Sequence, residues 1–176
     1  MTLIQPVSET DLPAVAEIYA HYVTESVATF DETPLDIEAW RLKAAAIAEA
    51  GLPFLVAKEE DVKEEDVKEK DGRVLGFAYC GRYRPKPAYR HTVEDTIYLS
   101  PGATGRGLGR LLLGELIARA GETGARQMIA VIADGGDVAS LKLHAAFGFA
   151  EAGRLKSVGF KHGRWIDTIL YQLELP

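Results

Sequence analysis

Residues 100–120 read SPGATGRGLGRLLLGELIARA, in which five glycines accompany apolar residues at helical spacing. Glycine at the entrance of a helix lets backbone N–H groups approach an anion closely, because no side chain is in the way. The positive end of the helix dipole adds to this attraction. The stretch therefore predicts a loop and a helix N-terminus that bind an anionic group.

Two well-known phosphate-binding loops do not fit this stretch. The loop of the nucleotide hydrolases requires Gly-x-x-x-x-Gly-Lys-Ser/Thr. Gly102 and Gly107 have that spacing, but Leu-Gly follows where the lysine and hydroxyl residue should stand. The dinucleotide fingerprint requires Gly-x-Gly-x-x-Gly, and Arg110 occupies the third glycine position after Gly105. What remains is Gly107-Leu108-Gly109 beside two arginines, which suits a pyrophosphate.

Bulk composition limits the class of protein. The chain has 176 residues, of which 47% are hydrophobic, so it can bury one good core. Its net charge of −6 argues against a nucleic-acid partner, which needs a basic surface. The N-terminus lacks a basic start and a long apolar run, so we expect a cytoplasmic protein without a membrane partner. The single cysteine, Cys80, is expected to be a buried apolar residue.

Hydrophobic periodicity predicts the element order β-α-α-β-β-β-α-β-α-β-β, within a single domain spanning residues 1–176. One segment does not fit a packed core. About residues 59–71, the pentapeptide EEDVK occurs twice in a charged, low-complexity run. Such a run has almost nothing to bury, so we predict a solvated hairpin tip inserted between two strands.

The strand ending in IYLS, the Gly-x-Gly loop and helix, the strand MIAVIAD and the helix SLKLHAAFGF together resemble the GNAT superfamily of N-acetyltransferases. Within it, HTVEDTIYLS, SLKLHAAFGF and VGFKHGRWIDT resemble the phosphinothricin and methionine sulfoximine acetyltransferase branch. The resemblance implies an α+β fold with a mixed, mostly antiparallel twisted sheet, splayed central strands and flanking helices. It also implies a homodimer.

The same resemblance implies acetyl-CoA as co-substrate and no metal. The pyrophosphate would meet the glycine loop, and the pantetheine arm would pair with the free edge of the preceding strand. The residues expected to contact the cofactor are Ile97, Tyr98, Leu99, Gly105, Arg106, Gly107, Leu108, Gly109, Arg110, Asp137 and Ser140. Thr104 and Asp137 depart from the residues usual in the superfamily, so their contacts to the cofactor stay open.

Acetyl transfer requires a neutral amine, because an ammonium group has no lone pair. An amino acid's α-amine is mostly protonated at neutral pH, so a base must take a proton. Glu94 lies within an otherwise apolar strand and matches the glutamate credited as base in the resembled branch. Burial would raise its pKa towards neutrality. Asp95 alternates to the opposite face, where we expect a structural role.

His144 is the second catalytic candidate. It lies four residues after Ser140, on the same face of a predicted helix. Many relatives carry a tyrosine here that serves as acid for the departing thiolate. Three roles stay open for His144: donating a proton to the thiolate, contacting the cofactor, or filling the core as a partly buried histidine.

Residues 80–95, CGRYRPKPAYRHTVED, indicate the acceptor. Clustered arginines beside a base suit a small acceptor that carries a carboxylate, such as phosphinothricin or methionine sulfoximine. The expected acceptor contacts are Phe30, Arg82, Arg84 and Tyr89. Two alternatives stay open: an enzyme that acetylates a protein or peptide N-terminus, and a regulatory domain that binds acyl-CoA without turnover.

Overall fold

A computed structural model describes residues 2–59, 72–135 and 138–176. Within these residues the chain forms seven strands and four α-helices in the predicted order, with short 3₁₀ turns before α1, β4 and α3. The strands are β1 Thr2–Pro6, β2 Phe54–Glu59, β3 Arg73–Arg82, β4 Thr92–Leu99, β5 Gln127–Ala133, β6 Ala150–Lys161 and β7 Arg164–Glu174. The helices are α1 Leu12–Glu25, α2 Ile37–Glu49, α3 Leu108–Glu122 and α4 Ala139–Ala146.

The strands form one sheet in the order β1-β2-β3-β4-β5-β7-β6. Its neighbouring strands are antiparallel except for β4 and β5, which are parallel. The parallel pairing covers only Thr92–Glu94 against Gln127–Ile129, after which the two strands diverge. This divergence opens a cleft in the middle of the sheet. The predicted mixed sheet with splayed central strands is thereby confirmed.

Helices pack on both faces of the sheet, because successive side chains of each strand point to opposite faces. On β3, Ala78 and Cys80 pack in a cluster with α3, whereas Phe77 packs with α1 and α2. On β4, Val93 joins the α3 cluster, and Tyr98 packs on the opposite side. Side chains two residues apart share a face, so Asp95 lies on the α3 side and Glu94 on the α1/α2 side. Cys80 is fully buried, as expected.

The charged insertion is the part of the fold that stays untested, because residues 60–71 lie outside the described residues. The strands on either side of it pair as predicted, with Glu59 opposite Arg73. Across the described ranges, no helix is long and apolar enough to cross a membrane.

Candidate active site

A cavity of about 370 Å³ occupies the cleft between β4 and β5. It passes from the α1/α2 side of the sheet to the side of α3 and α4, because the diverging strands leave no backbone between them. Eight parts of the chain line it, namely Tyr19 on α1, Ala28–Asp31 in the α1–α2 loop, Lys43 on α2, Tyr79 on β3, residues 94–98 on β4, residues 130–133 on β5, Ser140 and His144 on α4, and Thr168 on β7.

Glu94 lines this cavity from β4, at the last paired position before β5 diverges. Burial raises the pKa of its carboxyl group above the ordinary glutamate value, and the neighbouring Asp95 raises it further. Arg84 opposes the shift by lowering the same pKa. Within the described chain the carboxylate of Glu94 has no hydrogen-bond or ion-pair partner. Its carboxylate is therefore available to take a proton from a group in the cleft.

Asp95 and His144 form a hydrogen-bonded pair on the other face of β4. The Nε2 atom of His144 lies 2.9 Å from Oδ2 of Asp95, and both side chains are only 2% exposed. The two residues are 49 positions apart, so no local sequence pattern could indicate the contact. Asp95 lies on the face of β4 opposite to the face that carries Glu94, as expected. Its partner His144 is one of the predicted site residues.

The second ring nitrogen of His144 is also engaged. Its Nδ1 atom lies 2.7 Å from the carbonyl oxygen of Ser140 and 3.3 Å from the Ser140 hydroxyl. Burial lowers the pKa of His144, but the hydrogen bond and charge of Asp95 and the Ser140 carbonyl outweigh it and raise this pKa. The imidazole ring is thus fixed at both nitrogens, and it lines the cavity.

The glycine loop has the backbone that its sequence predicts. Gly105 and Gly107 adopt φ values of 75° and 77°, a left-handed conformation that favours glycine, and α3 begins directly afterwards. The first N–H groups of α3 have no partner within the helix, so they can donate to an anion. Arg110 lies over the ring of Phe147, and Arg106 forms an exposed ion pair with Glu59. These features fit the pyrophosphate of a coenzyme.

The edge of β4 beyond its contact with β5 is where the pantetheine arm is expected. Ser100 N–H donates to Leu75 on β3, so the backbone groups of Leu99 and Ile97 point to the opposite edge. The Tyr22 hydroxyl already donates to the Leu99 carbonyl at 2.6 Å. The side chain of Tyr98 packs in the aromatic cluster against Tyr22, so a contact from Tyr98 to the arm would use its backbone.

Of the remaining expected cofactor contacts, Ser140 lines the cavity, and Asp137 lies outside the described residues. Thr104 donates its hydroxyl to the Pro101 carbonyl at 3.3 Å, within its own loop. In the described ranges no group of acidic, histidine or cysteine side chains could hold a metal ion.

Phe30 lines the cavity, and the β6–β7 hairpin holds it there. The ring packs directly on Gly159, where an added Cβ atom would lie 2.3 Å from it. Lys161 is buried and donates to the carbonyl oxygen of Thr29 at 2.8 Å. Tyr19 donates to Asp31 at 2.6 Å on the other side of the loop. The position of Phe30 is therefore set by residues far from it in sequence.

Lys43 is a cavity residue that the sequence analysis missed. Its ammonium group lies over the rings of Trp40 and Tyr79, 5.2 and 5.4 Å from their centres, and donates to the Tyr79 hydroxyl at 3.3 Å. Within the described residues it has no carboxylate partner. The sequence offered one signal for Lys43, a basic residue within the apolar pattern of helix α2. The rings orient a cation towards the cleft that Glu94 also lines.

The three other expected acceptor residues, Arg82, Arg84 and Tyr89, do not line the cavity. Strand β3 ends at Arg82, so Arg82 and Arg84 do not continue along one strand face. Arg82 borders a neighbouring groove that shares Lys43 and Tyr79 with the cavity. Arg84 stacks on Tyr83 at 5.1 Å, and Tyr89 meets the same ring edge-on at 5.7 Å. Arg84 is close enough to Glu94 to lower its pKa.

Comparison with known proteins agrees with this geometry. Residues 15–149 match the Acetyltransferase (GNAT) family. The chain belongs to this family. It is 50% identical to a phosphinothricin N-acetyltransferase of Alcaligenes faecalis, over 98% of the chain and 82% of that protein. It is 37% identical to an L-methionine sulfoximine/L-methionine sulfone acetyltransferase of Pseudomonas paraeruginosa, over 98% of the chain and 94% of that protein.

A solved GNAT structure shares the fold closely. It is a phosphinothricin acetyltransferase from Sinorhizobium meliloti in complex with AcCoA. The TM-score is 0.90 at 42% identity, over 99% of this chain and 88% of that one. The predicted superfamily and branch are therefore confirmed, and the chain is an acetyltransferase. Glu94, the predicted base, lines the cleft, and the predicted coenzyme loop directly follows β4, whose residues 94–98 line the same cleft.

Proposed function

We propose that this protein transfers the acetyl group of acetyl-CoA to the amine of a small amino-acid-like acceptor, such as phosphinothricin or methionine sulfoximine. The observation that carries the proposal is the position of Glu94. This partly buried carboxyl group, with a raised pKa, lines the cleft where β4 and β5 diverge. A base is required there if the amine attacks the thioester directly.

Acetyl-CoA binding is supported by the glycine loop and by the relative that was solved in complex with AcCoA. The N–H groups from Gly105 to Gly109 would hold the pyrophosphate, and Arg110 would add a charge-assisted bond. Arg106 contacts Glu59 through Nη2 alone, so its other N–H groups can donate to a phosphate oxygen. The free edge of β4 at Ile97 and Leu99 would pair with the pantetheine arm.

A zwitterionic acceptor suits the charges at the other end of the cleft. Lys43 lines the cavity without a carboxylate partner in the described chain, so it can bind a carboxylate or another acidic group of the acceptor. Arg84 is a second cation near Glu94. Phe30 would cover the apolar stem of the acceptor. The relatives named for phosphinothricin and methionine sulfoximine support an acceptor of this class.

In the proposed reaction Glu94 takes a proton from the acceptor's ammonium group, which frees the nitrogen lone pair. The amine then attacks the thioester carbonyl, and the C–S bond breaks with its electron pair on sulfur. The thiolate then gains a proton. His144 lines the same cavity from the other side of β4, but both of its ring nitrogens are engaged, so it must release Asp95 or Ser140 before it can donate that proton. Backbone and side-chain donors of the cleft orient the reactants.

Initial rates decide between this function and its two alternatives. Acetyl-CoA is supplied with methionine sulfoximine, phosphinothricin or a set of N-terminal peptides, and release of free thiol is measured. We expect turnover with the two small acceptors and at most slow turnover with peptides. Faster turnover with peptides would favour an N-terminal acetyltransferase. Acetyl-CoA binding without turnover on any acceptor would favour a regulatory domain.

We also propose a homodimer, supported by an apolar patch on the β6–β7 hairpin. Four large side chains there are exposed, namely Leu155, Val158, Phe160 and Trp165. Exposed patches of this kind are typical of interaction surfaces. Light scattering of the wild-type chain and of Trp165→Glu tests it, with a dimer expected only for the wild type. A monomeric wild-type chain would contradict the proposal. A cytoplasmic location stays a prediction.

A further inference from the structure

Phe30 lines the cavity with a ring whose tip rests on the main chain of β6. An added Cβ atom at Gly159 would lie 2.3 to 2.8 Å from three atoms at the tip of that ring. Ordinary contact between carbon atoms is about 3.5–4.0 Å, so the ring and a side chain at position 159 cannot both occupy this space. The ring therefore fills the place where any other amino acid would carry its Cβ atom.

The backbone of β6 does not itself require a glycine at position 159. The φ angle of Gly159 lies outside the left-handed region, unlike that of Gly163 in the turn between β6 and β7. Gly159 is buried within β6 and pairs with Ile166 on β7. Alanine can adopt the same backbone conformation. What the position requires is the absence of a side chain beneath Phe30.

The loop that carries Phe30 is held on both sides of this residue by side chains from other elements. Three of them donate hydrogen bonds to its neighbours, namely Tyr98 to the Ala28 carbonyl at 3.3 Å, Lys161 to the Thr29 carbonyl at 2.8 Å, and Tyr19 to the Asp31 carboxylate at 2.6 Å. Lys161 is buried and lies two residues after Gly159, so both act on the loop from one face of β6. A change beneath the ring is therefore taken up by the side-chain torsions of Phe30.

The Phe30 ring has β6 on one side and the cavity of about 370 Å³ on the other. To make ordinary contact with a methyl group at position 159, the tip of the ring would have to move away from β6 by about 1 Å. Since the loop is held, this movement turns the ring into the cavity. The space left for the side chain of an acceptor then becomes shorter.

We propose that Gly159 is a positioning residue for acceptor selectivity. Because it carries no side chain, the Phe30 ring lies back against β6, and this sets how long an acceptor side chain the cavity admits. The inference rests on the proposed function. The three atoms nearest to an added Cβ atom all belong to Phe30, so a substitution at Gly159 acts on this wall of the cavity. Glu94 and the glycine loop belong to other elements, and acetyl-CoA binding should not change.

Two acceptors that differ by one methylene group test the proposal. Methionine sulfoximine carries an S-methyl group, and ethionine sulfoximine carries an S-ethyl group on the same amino-acid head. We expect Gly159→Ala to lower kcat/KM for the longer acceptor about tenfold more than for the shorter one. The KM for acetyl-CoA should stay the same. An unchanged ratio between the two acceptors would overturn the proposal.

Gly153→Ala is the matched control for this experiment. Gly153 also lies on β6 and has no positive φ, but nothing lies within 4 Å of its added Cβ atom. We expect the acceptor ratio of this variant to equal that of the wild type. A shift as large as that of Gly159→Ala would contradict a role specific to the contact with Phe30.

Thermal unfolding of a double-substitution cycle gives a readout that needs no turnover. Gly159→Ala should lower the melting temperature of the wild type, because the methyl group and the ring compete for one space. In Phe30→Ala the same substitution should leave the melting temperature unchanged or raise it, because alanine restricts the unfolded chain more than glycine does. If Gly159→Ala does not fold, recovery of folding in the double variant is the same coupling.

An equal change of melting temperature in both backgrounds would overturn the proposal, whatever the enzyme acetylates. Coupling between Gly159 and Phe30 without turnover of either sulfoximine would contradict the proposed function and leave the contact between the two residues standing. The two failures are thereby distinguished.

Discussion

The proposed coenzyme end and the proposed acceptor end of the cleft are built in different ways. The coenzyme end is one continuous stretch, from β4 through the glycine loop into α3, and it offers mainly backbone groups. The acceptor end collects side chains from the α1–α2 loop, α2 and β4, with Phe30 held by the β6–β7 hairpin. Backbone recognition depends on local conformation, whereas a side-chain pocket depends on the whole fold. Changes at the two ends should therefore affect different kinetic constants.

Glu94 lies where the two ends meet, so its loss should have the largest effect. We expect Glu94→Gln to lower kcat by about 10²–10⁴-fold, because the amide keeps the shape and removes the base. Acetyl-CoA binding, measured by calorimetry, should be nearly unchanged. Glu151→Gln, at an exposed position on β6, is the matched control. Wild-type turnover in Glu94→Gln across neutral pH would exclude Glu94 as the base.

The pH profile of the wild-type enzyme tests in a second way whether Glu94 is the base. The base must be deprotonated to act, and the pKa of Glu94 is raised. We therefore expect kcat/KM for the acceptor to fall as pH drops through a value above the ordinary glutamate pKa of about 4.3. Removing Arg84, which lowers this pKa, should move the fall to higher pH. A midpoint that does not move in Arg84→Ala would show that another group controls this limb.

Gly107→Val should affect the coenzyme end alone. At φ 77° a side chain is strained by about 1–2 kcal/mol, and a β-branched residue would crowd the pyrophosphate. No other atom lies within 4 Å of the added Cβ, so the fold itself has room for it. We expect the KM for acetyl-CoA to rise about tenfold, with the acceptor KM unchanged. The control is Gly102→Val, in the same loop but without a positive φ. Equal affinity in both variants would remove Gly107 from the coenzyme site.

Lys43→Met should affect the acceptor end alone. Methionine keeps much of the apolar stem and removes the charge. Losing a charge-assisted hydrogen bond costs about 1.5–3 kcal/mol, so we expect the acceptor KM to rise about ten- to a hundredfold. The KM for acetyl-CoA should stay the same. Lys142→Met, exposed on α4, serves as control. If the acceptor KM does not change, Lys43 is not the group that binds the acceptor's acid.

Deleting residues 60–70 should have the smallest effect. The deletion leaves Asp71-Gly72 between Glu59 and Arg73, which are opposite each other in the β2–β3 pairing. Asp-Gly is a favoured two-residue hairpin turn, so the strands can be joined without strain. We expect the melting temperature and kcat to remain close to wild type. A large loss of stability, measured by thermal unfolding, would show that the deleted residues contribute to the folded core.

The backbone of the proposed coenzyme loop was predictable from sequence because its determinants are neighbours in the chain. Glycines before an apolar helix pattern specify a left-handed turn and a helix N-terminus directly, and Gly105 and Gly107 adopt these conformations. Glu94 was predicted to lie in the site because an acidic residue in an apolar strand is unusual and because it matches a glutamate of the resembled branch. The structure places it in the cleft, and its role as base stays a prediction. The order of the strands and helices also follows from local periodicity.

Only the tertiary structure decided which side chains meet. Asp95 and His144 pair although they are 49 residues apart in sequence. The position of Phe30 depends on Gly159 in a distant hairpin. Lys43 reaches the cleft because α2 packs over β3, and Arg82 misses the cavity because it borders the adjacent groove. Sequence periodicity specifies the face of an element on which a residue lies. The residues opposite that face are determined by packing between elements, which depends on the whole chain at once.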